Sequence, residues 1–326
     1  MRRFALVFLM LLAGVFVLAG CGGDDEGGGS EDDVELTQEK DVTIAVITHG
    51  AGDSFWSVAK RGAEDAGKDL GVTVKYSESN NDPQEQAQLI EAAVTEEVDG
   101  IAVSAPDPDA IRDSVKTATD AGIPVITLNS GAEESQSLGA VTHVGQTETI
   151  AGEGAGAKLK EAGATKIICI VHEQGNVGLN QRCEGAAEGF GGEVENLQVA
   201  GVNDVSTTLT EIQSKLESDD SIDGVLALNP DIAVAARDAV AGAGSEAKVG
   251  TFDLSGDVIA AIKNDEILFA VDQQQYLQGY LPVVFLTLNK TNLNTVGGGQ
   301  PVLTGPGFVD KSNAAEVEKL AQDGTR

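Results

Sequence analysis

The chain sets side-chain carboxylates and amides at the ends of short apolar runs: Asp53, Asn129, Asn229, Asp253 and Gln273, with Asn180 at the start of a further helical stretch. Together such groups donate to and accept from hydroxyls. Trp56, the sole tryptophan of a chain with 4% aromatics, follows Phe55 close to Asp53. A flat apolar ring beside strand-end hydrogen-bonding groups suits a sugar or sugar alcohol, whose CH face stacks while its hydroxyls are paired. The other reading of Trp56 is packing within a core. No cluster of Lys or Arg joins the set, which disfavours an anionic or phosphorylated ligand.

Catalytic and cofactor patterns fail on inspection. Gly62 to Asp69 nearly spells a phosphate-binding loop, but Asp69 stands where Ser or Thr is needed and the glycines fall inside a helical pattern. Gly152, Gly154 and Gly156 lack the dinucleotide-binding context and read as helix-packing positions. His-Glu-x-x-His, Gly-x-Ser-x-Gly and paired-cysteine zinc spacings do not occur. His49, His143 and His172 are scattered and read as structural or pocket-lining. The expectation is a binding protein without metal or cofactor, not an enzyme.

The elements that position these residues alternate. Strands are predicted at 43–48, 72–77, 100–104, 124–128 and 141–145, then at 166–171, 194–199, 224–228, 248–252 and 267–271, with helices such as 54–70, 83–96 and 107–121 between them. This alternation implies parallel sheets with crossover helices. The stretch from Val98-Asp99-Gly100 to Asn129-Ser130 is repeated in plan from Ile222-Asp223-Gly224 to Asp253-Leu254-Ser255, each copy with a Pro (Pro106, Pro230) and an Arg-Asp pair. A strand-helix-strand unit used twice implies two similar lobes, because solenoid repeats are shorter and recur at least three times. Ligands of open parallel sheets sit outside the carboxyl ends of the strands, where Asn129 and Asp253 fall.

The amino terminus carries Arg2 and Arg3, an apolar run to Val17, then Leu18-Ala19-Gly20-Cys21. This describes an exported chain, with residues 1–20 as signal, in a run too short to span a bilayer comfortably. Leu18-Ala19-Gly20-Cys21 resembles a bacterial lipobox, which implies a lipoprotein with Cys21 as the lipidated first residue; the alternative is an ordinary cleaved signal. Residues 21–40 are Gly- and acid-rich, cannot bury a core and read as a tether with an end-to-end distance of roughly 25 Å. The chain has 52 acidic against 21 basic residues and a net charge of −31. Nucleic-acid binding, which rests on neutralised phosphates, is disfavoured. Cys169 and Cys183 form an even pair in an oxidising exterior; they read as a disulfide, with two buried thiols as the alternative.

Taken in order, Thr48-His49-Gly50-Ala51-Gly52-Asp53-Ser54-Phe55-Trp56, residues 98–104, residues 123–130, Thr251-Phe252-Asp253-Leu254-Ser255 and Asp272-Gln273-Gln274-Gln275-Tyr276 resemble the type I periplasmic solute-binding proteins of sugar ABC importers, the ribose-, galactose- and xylose-binding group. The resemblance covers residues 42–310. It implies two doubly wound α/β lobes joined by a three-strand hinge, with lobe 1 at 41–146 plus 274–302 and lobe 2 at 147–273 plus 303–326. It also implies a monomer that serves a permease and its ATPase from the outer face of the cell membrane or the periplasm. The competing role is a ligand-sensing lipoprotein for a chemoreceptor or sensor kinase; other competing solutes are a nucleoside or a signalling molecule. By the same resemblance the ligand residues would be His49, Asp53, Phe55, Trp56, Asn129, Ser130, Asn180, Asn229, Asp253 and Gln273. The family's Asp-Arg after the fourth strand is Asn129-Ser130 here, and its helix arginine falls on Asn180. Two charged positions are therefore neutral, which argues for a neutral polyhydroxy ligand of other than ribose type.

Overall fold

Most strands hand over to a helix through a short loop whose last residue is polar and caps the helix. The computed structural model describes residues 41–326; the expectations for the signal, the tether and Cys21 lie outside the described residues. β1 (Thr43–Thr48) leads to α1 (Ser54–Leu70), where the Asp53 carboxylate accepts from the Trp56 amide. After β2 (Thr73–Glu78), Asp82 caps α2 (Pro83–Thr95), and after β3 (Gly100–Ser104), Asp107 caps α3 (Pro108–Asp120). Side-chain oxygens at these positions satisfy amides that have no partner inside the helix. β4 (Val125–Leu128) and β5 (Thr142–Gly145) complete the first run of strands.

The second run repeats the device. α4 (Glu148–Glu161) and β6 (Lys166–Val171) precede α5 (Val177–Phe190), capped by Asn176. β7 (Glu193–Gln198), α6 (Val205–Ser218) and β8 (Gly224–Ala227) follow, and Asn229 then caps α7 (Pro230–Gly242). β9 (Lys248–Phe252) leads to α8 (Gly256–Lys263), capped by Ser255, and β10 (Phe269–Asp272) leads to α9 (Gln275–Asn292). β11 (Val302–Leu303), β12 (Gly307–Asp310) and α10 (Ala314–Gln322) close the chain.

The strands form two sheets of like order, β2-β1-β3-β4-β5-β11 and β7-β6-β8-β9-β10-β12. Every ladder is parallel except β10 with β12. β3 is buried along its whole length and β1 nearly so, as a strand covered by helices on both faces must be, whereas β2 and β7 at the edges are half exposed. Each lobe thus has two apolar layers, one on either face of its sheet. The chain passes between the sheets three times, after β5, after β10 and after β11. After α9, which ends at Asn292, the chain makes two short strands that join different sheets.

Glycines set the closest helix contacts. A Cβ on Gly279 of α9 would lie 1.8 Å from the Ala59 carbonyl oxygen of α1, and one on Gly152 of α4 would lie 2.2 Å from the Arg182 carbonyl oxygen of α5. Neither helix pair could sit at this distance with a side chain there. Cys169 of β6 and Cys183 of α5 are joined by a disulfide.

Candidate functional site

The carboxyl ends of both sheets face one another, and residues of the loops that follow the strands, among them the caps Asp53, Asn176 and Asn229, meet there. From lobe 1 come His49, Asp53, Phe55, Trp56, Asn129 and Ser130; from lobe 2, His172, Glu173, Asn176, Arg182, Asn229 and Asp253, with Gln273 on the crossing segment just after β10. Asn129 and Asp253 occupy equivalent positions in the two copies of the repeat, and both have left-handed backbone, φ 60° and 68°. Asn and Asp tolerate that region better than other side-chain-bearing residues. The polar type at each strand end is therefore set by the turn as well as by the cavity.

The lobes are drawn together by direct contacts. Asn229 Nδ2 donates to Asp53 Oδ2 at 3.0 Å, Ser54 Oγ to Asp231 Oδ1 at 2.6 Å, and Ser130 Oγ to Asn176 Oδ1 at 3.2 Å. Asn129 Nδ2 approaches Gln273 Oε1 at 3.5 Å, and Gln273 Nε2 donates to Asp253 Oδ1 at 2.9 Å. His49 Nε2 lies 3.3 Å from Glu173 Oε2. The space these groups enclose is about 20 Å³, room for one water. A ligand with a ring must part them and take over their hydrogen bonds.

Burial tunes the acids of this cavity. Asp53 is pushed up to about 7 by burial, against the pull of the Trp56 amide, with Glu173 and Asp231 nearby adding to the rise. Burial likewise pushes Asp253 up to about 7, while Arg182 and the Gln273 bond pull it back. Glu173 is the exception: burial opposes its charge, but His49 holds it below the usual carboxylate range. Burial lowers His172 to about 4, so the ring is neutral at ordinary pH.

Trp56 packs in a core, as one of its two readings expects: it is 3% exposed and belongs to the lobe 1 core, and it also reaches the cavity. Its ring meets His49 and Phe55 edge-on, each with centroids 4.8 Å apart. Asn180 is a correction. It is exposed and does not line the cavity, because the inner face of α5 is made by Leu179, Arg182, Cys183 and Ala186. From this helix Asn176, at the cap, and Arg182 reach the cavity instead.

Arg182 brings a cation to a site expected to lack one, but the charge is offset. Its Nε and Nη2 donate to the two Glu148 oxygens at 2.7 and 2.9 Å, and its Nη1 donates to the Leu228 carbonyl at 3.2 Å. The guanidinium lies 4.5 Å from the centroid of the Phe252 ring. Gln146, on the first crossing, donates to the same Glu148 carboxylate at 2.9 Å. The pair is buried and bidentate, the arrangement in which an arginine keeps its charge inside a protein. Glu148, Glu173 and Asn176 were not picked out from sequence, although Asn176 carries the signal of an Asn placed just before a helical run. Among the described residues, no group of three or more His, Cys, Asp or Glu could hold a metal ion.

A periplasmic binding protein domain model matches residues 44–288. The chain belongs to the periplasmic binding protein family. A solved structure of a carbohydrate transporter from Acidothermus cellulolyticus 11B, in complex with myo-inositol, is 45% identical with a TM-score of 0.86, covering 88% of this chain and all of that one. The ribose import binding protein RbsB of Bacillus subtilis (strain 168) is 27% identical over 254 residues, 74% of this chain and 80% of that protein. The fructose import binding protein FruE of Bifidobacterium longum (strain NCC 2705) is 25% identical over 286 residues, 82% of this chain and 83% of that protein. RbsB and FruE are binding proteins of import systems, and this chain is likewise a binding protein of the type I periplasmic fold rather than an enzyme.

Proposed function

We propose that this periplasmic binding protein captures a neutral cyclic polyol between its lobes, myo-inositol first among candidates, and delivers it to an ABC importer. The observation that carries the reading is the charge balance of the cavity: its one arginine is consumed by Glu148, which leaves Asp53, Asn129, Asn229, Asp253 and Gln273 to pair with hydroxyls. An anionic solute would meet carboxylates without a free cation. The myo-inositol complex of the 45% identical transporter supports the same class of ligand. Lobes at 41–146 plus 274–302 and 147–273 plus 303–326 would close on the solute about the three crossings, excluding bulk water and presenting the permease with one combined surface. The protein would work as a monomer outside the cytoplasm, held at the membrane by lipid on Cys21.

A thermal-shift and calorimetric screen of the mature protein tests this against inositols, neutral hexoses and pentoses, with an amino acid, a nucleoside and a sugar phosphate as controls. A solute that binds only the folded form stabilises it by about 2.7 kcal/mol at a hundredfold excess over its Kd. Cyclic polyols or neutral sugars should shift melting and the controls should not; a strong shift by a control alone defeats the reading. For the anchor, Cys21→Ser should move the protein from membranes to the soluble fraction, and unchanged membrane association would defeat it.

A further inference from the structure

A second chamber of about 320 Å³ lies between the lobes beside the inner cavity. Its lobe 1 wall includes the capped first turns of α2 and α3, and its lobe 2 wall is the loop from His172 to Asn176 with the turn at Gly201–Asn203. His49, His172, Glu173 and Asn176 line both spaces and so divide them. This divide is made of side-chain contacts. His49 Nδ1 meets Ser104 Oγ at 2.8 Å, His49 Nε2 faces Glu173 at 3.3 Å, and Asn176 Nδ2 donates to Glu173 at 2.6 Å. Rotamer changes in three or four side chains would join the two spaces, with no strand having to move.

The chamber has its own chemistry. Asp82, Asp107 and Glu173 place carboxylates on it, and no Lys or Arg lines it. His172 is 8% exposed, and its Nδ1 is buried without a hydrogen-bond partner, an arrangement that calls for a polar group to complete it. The volume lies within the range of small-molecule pockets, yet a single ring held by Asp53, Asn229 and Asp253 would leave it unused. The geometry points to a second subsite: the chamber receives a neutral, hydroxyl-bearing substituent about the size of another sugar ring, carried by the ring in the inner cavity. The solute is then a glycosylated cyclitol or a disaccharide, and phosphate or carboxylate substituents are repelled. This rests on the proposed binding of neutral polyols in the inner cavity.

The test measures calorimetric affinities of the mature protein for myo-inositol and neutral monosaccharides, for glycosyl-myo-inositols and neutral disaccharides, and for their phosphorylated or uronic counterparts. At least one neutral two-ring solute should bind within about tenfold of the best single ring or more tightly, and its anionic counterpart at least about a hundredfold more weakly. Gln174 and Asn203 are exposed on the chamber wall. Gln174→Trp and Asn203→Trp should each weaken the two-ring solute by about thirtyfold or more through steric exclusion while the single ring binds within about twofold of wild type. Retained single-ring affinity also shows that each variant is folded. Single rings that bind while every two-ring solute fails would overturn the subsite and leave the proposed function standing. Failure of all neutral solutes would overturn both. Two-ring binding that is indifferent to both tryptophans, or equal affinity for an anionic counterpart, would overturn the subsite alone.

Discussion

Asp253→Asn isolates the energetic consequence of burying an acid at the cavity. Asp253 is 2% exposed, and burial raises its carboxyl from 3.8 to about 7, against the pull of Arg182 and the Gln273 bond. The folded protein therefore holds a proton that the unfolded chain has already released. The stability contributed by this group is full below about pH 4, falls as pH rises, and is lost above about pH 7. Three pKa units at about 1.4 kcal/mol each set a ceiling of about 4 kcal/mol. Asparagine is close in shape, its oxygen can still accept from Gln273 Nε2, now at 2.9 Å, and it tolerates the backbone φ of 68°.

The variant should match wild type near pH 4 and become progressively more stable relative to it up to pH 8, by about 2 to 4 kcal/mol. Asp53 has the same direction of shift, and His143 and His172 are lowered to about 4. All three titrate in both proteins, so the difference reports Asp253. Urea unfolding from pH 4 to pH 8, followed through the single buried Trp56, reads this difference directly. A difference that is flat across the range, or that favours wild type as pH rises, refutes the reasoning. Ligand binding supplies a second readout of the same group. A hydroxyl donating to the carboxylate favours its ionised form, so binding near pH 6 should release protons from wild type. Calorimetry in two buffers of different ionisation enthalpy should show less release, and weaker binding, for Asp253→Asn.

Glu148→Gln leaves the Arg182 charge buried without its counter-ion and should destabilise the protein by about 3 to 5 kcal/mol, more than Glu148→Leu combined with Arg182→Met, which removes both charges. Equal losses in chemical denaturation would show that the pair is not a buried charge couple. Reducing the Cys169–Cys183 bond, whose cysteines are 14 residues apart, should lower stability by about 3 kcal/mol in the chain-entropy model. Because neither sulfur lines the cavity, solute affinity should be retained; affinity that falls in step with stability would place the bond in the binding machinery.

The architecture was legible because its signals are local and repeated. Apolar runs of four to six residues ending in Asp or Asn, followed by helical stretches, specify both the parallel strands and the capped helices, and the duplicated segment specifies two lobes. Even the left-handed turns at Asn129 and Asp253 are foreshadowed by the matching polar residues at the ends of the two repeats. What failed to show is what depends on azimuth around a helix. Asn180 and Arg182 are two positions apart on α5 and so point about 200° away from one another; alignment by motif selected the one that faces solvent. The partner of Arg182, Glu148, is 34 positions earlier at the start of another helix, a separation at which pairing leaves no trace in sequence. The error bears on the chemistry. Reading the cavity as free of cations and reading it as holding an arginine locked to a glutamate both yield a neutral ligand, but only the second makes that neutrality depend on Gln146 and Glu148, beside the first crossing between the lobes.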